Sequence, residues 1–191
     1  MEQTLVDIIH SIKPGLNITE AEVNEDREES FRSEAAYQAF LDKNISGIQI
    51  ELATNEMEVF LEQLDEALND DYTIYISDHS YDEGPSVVKI LKTSDKYDAL
   101  MFEGTNGINY DKTVEDIIDF LKQLETDRPF QLYSVGFDSM LGVFEEEVED
   151  VEKLAEALYE FCPDVVDQGT ETVEALAAEI ENSNSFYFWW D

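Results

Sequence analysis

The C-terminal run Phe186-Tyr-Phe-Trp-Trp-Asp191 constrains the fold of this chain more than any other stretch. Chain ends are usually polar and frayed. Consecutive aromatic side chains are shielded from water most simply when they form a strand inside a sheet. The last thirty residues also include Cys162, the single cysteine of the chain. We therefore expect the last thirty residues to be buried and the rest of the chain to fold around them.

Hydrophobic periodicity and turn residues divide the chain into helices, strands and loops. Helices are predicted over residues 3–13, 35–43, 54–69, 113–124, 151–161 and 172–180, with N-caps at Thr54, Thr113 and Thr172 and an approximate capping box from Thr113 to Asp116. Strands are predicted over residues 45–52, 72–76, 97–102, 130–135, 140–144 and 186–190, while residues 87–92 fit either a helix or a strand. Residues 17–34 form an acidic solvated stretch, and loops are predicted at 77–86 and at 104–110, the second with a positive φ at Gly107 or Asn109.

The order of these elements predicts an α+β fold. From residue 97 the order is strand, helix, strand, strand, helix, helix, strand. Without the additional helix, this is the split order of a ferredoxin-like sandwich. We therefore predict an α/β sandwich with a ferredoxin-like β-α-β-β-α-(α)-β part over residues 85–191. Residues 1–84 are predicted to form an α/β extension on the same sheet, and the two parts one compact unit.

The charge limits the classes of partner. The formal net charge is -35, from 46 acidic and 11 basic residues, whereas a hydrophobic fraction of 43% is sufficient for a packed core. Such an excess of carboxylates repels nucleic acid and anionic lipid surfaces and keeps a protein soluble and monomeric. A basic protein is the partner that this charge favours. The alternative is that the acidity serves only solubility or life at high salt.

The compartment predicted from the sequence is the cytoplasm. One cysteine cannot form an internal disulfide bond, which fits a reducing environment. The first residues have neither the basic start nor the apolar core of a signal peptide. No apolar run approaches the ~18–20 residues that a membrane-spanning helix needs.

The residues around Cys162 have both a chemical and a structural interpretation. A catalytic cysteine needs a lowered pKa, but Cys162 lies at the predicted end of a helix that Pro163 terminates, where the helix dipole raises it. Asp164, Asp167 and Asp191 could gather as carboxylates for a metal or for acid–base chemistry. The structural interpretation makes Asp164 a local cap and Gln168-Gly169 a tight turn. We favour it, and we predict no catalytic residue, metal site or cofactor.

Two separated motifs resemble a known family. They are Tyr159-Glu-Phe-Cys-Pro-Asp-Val-Val-Asp-Gln-Gly-Thr170 with the closing Phe188-Trp-Trp-Asp191, and Thr105-Asn-Gly-Ile-Asn-Tyr-Asp111 followed by residues 117–121. Together they make residues 85–191 similar to the bacterial family called domain of unknown function 4253. The resemblance implies no established activity, although some relatives look like immunity proteins found beside secreted polymorphic toxins. The motif residues expected to be structural are Asn109, Tyr110, Cys162, Pro163, Asp164, Gln168, Gly169, Trp189, Trp190 and Asp191.

The acidic segments are the candidate partner-binding surface. Eight carboxylates are selected: Glu145, Glu146, Glu147, Glu149, Asp150 and Glu152 in one run, and Asp70 and Asp71 in another. Such runs can steer fast association with a basic protein and can mimic nucleic-acid phosphates. We therefore expect a non-enzymatic immunity protein that inhibits a basic, nuclease-type toxin. The alternative is a small enzyme or ligand-binding domain with a site near Cys162, Asp164, Gln168 and Trp190, which requires those side chains to be accessible.

Overall fold

The computed structural model describes residues 3–78 and 84–190, which form a seven-stranded sheet with helices packed on it. The strands are β1 Ile18–Glu20, β2 Gly47–Ala53, β3 Thr73–Asp78, β4 Pro85–Leu91, β5 Phe130–Val135, β6 Ser139–Phe144 and β7 Ser185–Trp189. The α-helices are α1 Gln3–Ile12, α2 Glu34–Leu41, α3 Thr54–Ala67, α4 Asp98–Glu103, α5 Val114–Asp127, α6 Val151–Phe161 and α7 Val173–Ser183. Two 3-10 helices, Glu25–Ser30 and Asn106–Tyr110, and a π-helical turn, Val165–Thr170, complete the described elements.

The sheet joins the two halves of the chain. Its strand order is β1-β2-β4-β3-β5-β6-β7. Neighbouring strands are antiparallel except β3 and β5, which pair in parallel. β4 lies between β2 and β3, so Val88 is opposite Ile50 on one side and Ile76 on the other. The predicted α/β extension on the same sheet is therefore confirmed.

Two hydrophobic cores cover the two faces of the sheet. On one face, α1 and α3 bury Ile9 and Leu64 against residues of β2, β3 and β4 such as Ile76. On the other face, α2 and α4–α7 pack against β3–β7, and Tyr75 points into that core because successive side chains of a strand alternate between faces. The arrangement confirms an α+β sandwich.

The strand predicted at residues 97–102 is a helix. Residues 97–102 were expected to be extended, but α4 spans Asp98–Glu103. The Asp95 carboxylate accepts a hydrogen bond from the Tyr97 N–H at 3.0 Å and opens the first turn. Because Ala99, Leu100 and Phe102 are all buried, the run has no polar face, and periodicity alone cannot separate a buried helix from a buried strand. From Pro85 the order β-α-β-β-α-(α)-β is nevertheless present, with β4 as its first strand. The pairing is not ferredoxin-like, because β4 lies between β2 and β3 and β7 pairs with β6.

The C-terminal strand lies at the edge of the sheet, whereas we expected it inside. Among the described strands β7 pairs with β6 alone. Phe186 and Phe188 are buried, but Tyr187 between them is 38% exposed. The aromatic run is therefore protected by burial of one face of an edge strand. The prediction of buried aromatic side chains holds for that face only.

Several local expectations also changed. α3 begins at Thr54 itself, and the residue before it, Ala53, supplies no side-chain cap. Positive φ values occur at Gly104 and Asp111, and neither Gly107 nor Asn109 has one. A Cβ at Gly104 would lie 2.7 Å from the Arg27 Cβ, so glycine is required there both by φ and by space.

The remaining boundaries follow the sequence more closely. Of the ambiguous residues 87–92, all but the last belong to β4, which begins at Pro85 and shortens the predicted loop. Residues 17–34 hold β1 and a 3-10 helix. The capping box is confirmed, since the Thr113 side chain accepts from the Asp116 N–H and the Asp116 carboxylate from the Thr113 N–H. Residues 79–83 of the predicted loop, with His79, and Asp191 lie outside the described residues.

Candidate functional site

The sheet brings the acidic segments to one end of the molecule. Because β3 and β5 run in parallel, Thr73 and Phe130 begin their strands at the same end. Phe144, the last residue of β6, pairs with Phe130. The loop before β3, the loop before β5 and the acidic segment after β6 therefore meet at this end. A hydrogen bond of 2.9 Å from the Glu145 N–H to the Pro129 carbonyl oxygen joins two of them.

The loop before β5 and the acidic segment after β6 form a concave acidic groove. It has a volume of about 460 Å³, and its lining residues are Asp127, Arg128, Pro129, Glu146, Glu147, Val148, Glu149 and Asp150. We call this cavity the acidic groove. It combines the predicted acidic run with three residues at the end of α5, which the sequence did not connect to it.

One cation compensates part of the charge in the acidic groove. The Arg128 guanidinium donates to an Asp150 carboxylate oxygen at 2.6 Å, and this hydrogen bond lowers the pKa of Asp150. Within the described part of the chain, the ion pairs include none of the other acidic-groove carboxylates, namely Asp127, Glu146, Glu147 and Glu149. The acidic groove is thus a solvent-exposed concave surface with net negative charge, which suits the insertion of a lysine or arginine side chain.

The other predicted partner-binding carboxylates lie around this groove without lining it. Glu145 accepts a hydrogen bond from the Gln131 amide at 2.5 Å, and Glu152 is exposed in the first turn of α6. Asp70 and Asp71 are exposed in the loop before β3, where the Asn69 amide donates to Asp71 at 3.0 Å. They extend the negative surface across the same end of the sheet.

The residues of the two motifs converge on the opposite end of the sheet and hold the C-terminal strand. The Asn106 amide donates to the Trp190 carbonyl oxygen at 3.1 Å, and the Cys162 Sγ donates to the Trp189 carbonyl oxygen at 3.2 Å. Asn109 in turn donates to the Asn106 side chain at 3.0 Å. These contacts explain why the two separated motifs are found together, since both pack against the closing strand.

Burial determines what Cys162 and its neighbours can do. Cys162 is 0% exposed, Trp190 2% and Asp164 6%. Burial raises the pKa of the Cys162 thiol to about 11, which disfavours the thiolate that a nucleophile requires. The alternative site required accessible side chains at these positions, and three of its four residues have almost no exposed surface.

The remaining motif residues have local roles. Pro163 follows the end of α6, and Tyr110 packs against the larger core. Gln168 and Gly169 are exposed, but they lie within the π-helical turn Val165–Thr170 rather than in a tight turn. The left-handed conformation needed for the reversal is taken by Glu171, at φ 67°.

Sequence reasoning missed a buried ionic cluster beneath the sheet. The Lys89 ammonium donates to both carboxylate oxygens of Glu103, at 2.8 and 2.9 Å, and the Tyr75 hydroxyl donates to the same carboxylate at 2.6 Å. Lys89 also donates to the Glu22 carbonyl oxygen at 2.7 Å. Burial raises the pKa of Glu103, and the Lys89 charge opposes that shift. The available signal was a single lysine inside the apolar run 87–91.

The described residues contain neither a cluster of metal-binding side chains nor a helix that could span a membrane. Within residues 3–78 and 84–190, no three histidine, cysteine, aspartate or glutamate side chains are grouped so that they could hold a metal ion. In the same residues, no helix has the length and apolar character needed to cross a bilayer.

Comparison with known proteins identifies the family of this chain. The profile of the family described as "Domain of unknown function (DUF4253)" matches residues 87–191, which is more than half of the 191-residue chain. No curated protein and no solved structure matches the chain. The matched region holds β5–β7, α4–α7, the acidic groove and both motifs that fasten the closing strand. The chain therefore belongs to the DUF4253 family.

Proposed function

We propose that this chain is a non-enzymatic, cytoplasmic immunity protein that neutralises a basic toxin of the nuclease type. The observation that carries the proposal is the acidic groove, in which four exposed carboxylates have no described ion-pair partner. A nuclease binds nucleic-acid phosphates through clustered lysine and arginine side chains. Carboxylates on a complementary surface satisfy the same cations and block the path of the substrate.

The whole-molecule charge supports fast capture of such a partner. A net charge of -35 produces a long-range attraction for a basic protein that raises the rate of association and weakens with ionic strength. Speed is essential for an inhibitor that must bind a toxin before the toxin reaches nucleic acid. The acidic groove then supplies short-range, charge-assisted hydrogen bonds.

An apolar surface lies beside the acidic groove. In the proposed interface its side chains are buried against the partner, which adds hydrophobic contacts to the charge pairs. The face of β5–β7 opposite the larger core displays Tyr133, Val143 and Tyr187, which are 37%, 36% and 38% exposed. Val143 lies two residues before the acidic segment. Protein interfaces gain much of their affinity from aromatic and aliphatic anchors surrounded by a polar rim. In the proposal these three side chains contact the partner, and the carboxylates form the rim.

The proposal is tested by looking for a basic nuclease toxin gene beside the gene for this chain and by assaying inhibition of the nuclease domain that it encodes. Purified wild-type protein is expected to abolish DNA or RNA cleavage at a one-to-one ratio. The variant Glu146→Gln/Glu147→Gln/Glu149→Gln is expected to need at least a tenfold excess. A matched control, Glu174→Gln/Glu179→Gln/Glu181→Gln on α7, removes the same charge elsewhere and is expected to inhibit like the wild type. Absence of a basic toxin gene at that position, or full inhibition by the groove variant, contradicts the proposal.

A further inference from the structure

A second cleft, at the β1–β2 side of the sheet, has the size and lining of a small-molecule site. Its volume is about 400 Å³, within the range of about 300–1,000 Å³ that is usual for ligand pockets. Its walls combine polar and apolar side chains from β1, α2, β2, α4 and the adjoining loops, and the apolar ones include Val23, Phe40, Leu41, Ile45 and Phe102. We call this cavity the Arg27 cleft.

Part of the apolar lining of the Arg27 cleft is left uncovered by the protein. Val23 is 40% exposed and Leu41 is 39% exposed, which places both among the most exposed large hydrophobic side chains of the described chain. Deeper in the same cleft, Phe40 and Phe102 are 5% and 6% exposed. The cleft therefore has exposed apolar side chains at its opening and buried aromatic rings further in. An apolar ligand in the cleft would contact both.

Arg27 is unusual among the three arginines of this acidic chain. Arg32 binds Asp116 and Asp119, and Arg128 binds Asp150. Across the described residues, by contrast, the ion pairs within 4.0 Å include none for Arg27. Its guanidinium donates to the Phe102 carbonyl oxygen at 3.3 Å, which uses one of five N–H donors. The half-buried Arg27 guanidinium therefore has further N–H groups that can donate hydrogen bonds to a ligand in the cleft.

Aromatic rings fix the position of this guanidinium. Its central carbon lies 5.8 Å from the ring centroid of Tyr37 and 5.6 Å from those of Phe40 and Phe102. Cation–π contacts at these distances hold the side chain in place without consuming its hydrogen-bond donors. Arg27 is therefore ordered before a ligand binds. Binding does not have to supply the entropic cost of ordering this side chain.

The local charge of the Arg27 cleft has the opposite sign to the molecule. The charged residues that line it are Arg27, Lys92 and Glu20, so the lining has a formal charge of +1 in a chain of -35. Behind Phe102, the Lys89 ammonium lies 5.7 Å from the ring centroid and is anchored to Glu103. A cleft that offers the Arg27 guanidinium beside apolar side chains matches a ligand with one negative charge on an apolar body.

We propose that the Arg27 cleft binds a small amphipathic organic anion. The acidic head group accepts hydrogen bonds from the Arg27 guanidinium, and the apolar body lies against Phe40, Leu41 and Phe102. This site is separate from the acidic groove, and the proposal does not depend on the toxin-binding function. The negative charge elsewhere on the surface repels the same ligand, so binding is confined to the cleft.

Two fluorescent probes with the same aromatic skeleton test the proposal. 8-Anilinonaphthalene-1-sulfonate carries a single negative charge, and N-phenyl-1-naphthylamine is its uncharged analogue. The folded wild-type protein is expected to bind both, with saturable one-to-one titrations. Arg27→Met is expected to weaken binding of the sulfonate at least tenfold and to change binding of the neutral probe less than twofold. Arg27→Lys keeps the charge but loses the paired, coplanar N–H donors of the guanidinium. Its affinity for the sulfonate is expected to lie between those of the wild type and Arg27→Met.

Two control variants separate the cleft from general effects. Arg128→Met removes the same charge at the acidic groove and is expected to leave both titrations unchanged. Val23→Trp narrows the cleft at an exposed position and is expected to weaken both probes, which tests the site even if Arg27→Met fails to fold. The proposal is overturned if the wild type binds neither probe, if Arg27→Met retains sulfonate affinity, or if Arg128→Met loses as much.

Discussion

At the scale of single residues, Cys162 is held as a protonated thiol in the core. It is 0% exposed, its pKa is raised to about 11 by burial, and it donates to the Trp189 carbonyl oxygen. At pH 8 we expect a thiol-specific disulfide reagent to label folded protein at least 100-fold more slowly than protein unfolded in guanidinium chloride. Labelling of the folded protein at the unfolded rate would contradict this placement.

The pair Lys89 and Glu103 provides a second residue-scale prediction. Removing one partner of a buried ion pair leaves an uncompensated charge, which typically destabilises a protein by about 3–5 kcal/mol. We expect Lys89→Met to lower the free energy of unfolding by about that amount at pH 8. Denaturant titration measures it. The double variant Lys89→Met/Glu103→Leu removes both charges and is expected to recover most of the loss, leaving the Tyr75 hydroxyl without its acceptor.

The pH dependence of the Lys89→Met variant follows from the pKa of Glu103. Burial already raises this pKa above its ordinary value of 4.5, and loss of the Lys89 charge raises it further. A raised folded-state pKa means that the folded protein binds a proton more readily than the unfolded chain, so the variant gains stability relative to wild type as the pH falls. We expect the stability difference to shrink between pH 8 and pH 5. A difference that is constant or grows over that range would show that Glu103 is not the charge left unpaired.

At the scale of elements, helix α5 has the best-defined start in the chain. The Thr113 side chain accepts from the Asp116 N–H at 3.3 Å, and Asp116 returns a hydrogen bond of 2.9 Å from the Thr113 N–H. Thr113→Ala is expected to lower the free energy of unfolding by about 1 kcal/mol because it removes the hydroxyl that accepts from the Asp116 N–H and donates to the Asp116 carboxylate. Thr113→Ser keeps the hydroxyl and is the matched control. Equal losses in the two variants, measured by chemical unfolding, would contradict the capping role.

The elements that the sequence predicts well are those with one buried and one exposed face. β2 shows strict alternation of buried Ile48, Ile50 and Leu52, and α5 shows a helical stripe that includes Ile117 and Leu121. The sequence of α4 predicts a strand because nearly every residue of this helix is buried. Its apolar residues therefore do not show the 3.6-residue spacing of an amphipathic helix. The edge position of β7 was missed for another reason. Pairing partners depend on topology, which local sequence does not specify.

The sequence indicates only part of the lining of the acidic groove, and it does not indicate the shape of the groove. The carboxylates after β6 are visible in the sequence as a charge run, but the acidic groove also needs Asp127–Pro129, which are brought there by the pairing of Phe130 with Phe144. The Arg27 cleft depends on the approach of Phe40, Phe102 and Arg27, which are far apart in sequence. Such contacts follow from tertiary packing and leave no local motif.

At the scale of the whole molecule, the sheet separates structural residues from exposed charge. The motif residues hold the closing strand at one end, through Asn106 and Cys162. The acidic groove lies at the other end, beside the start of β5. The net charge of -35 can therefore be spread over the surface without disturbing the contacts that fasten the fold. This separation supports the proposal that the aromatic C-terminus stabilises the fold and that the acidic groove binds a partner.

The central claim is that the acidic groove binds a basic partner electrostatically. The most direct measurement is the Kd for the proposed partner, a basic nuclease domain, as a function of salt concentration, by calorimetry. We expect wild-type affinity to fall steeply between 50 and 500 mM NaCl, because screening weakens exposed charge pairs. The slope of log Kd against log salt should decrease for Glu146→Gln/Glu147→Gln/Glu149→Gln and stay near the wild-type slope for Glu174→Gln/Glu179→Gln/Glu181→Gln. Salt-independent binding, or equal slopes for the two variants, would contradict the account.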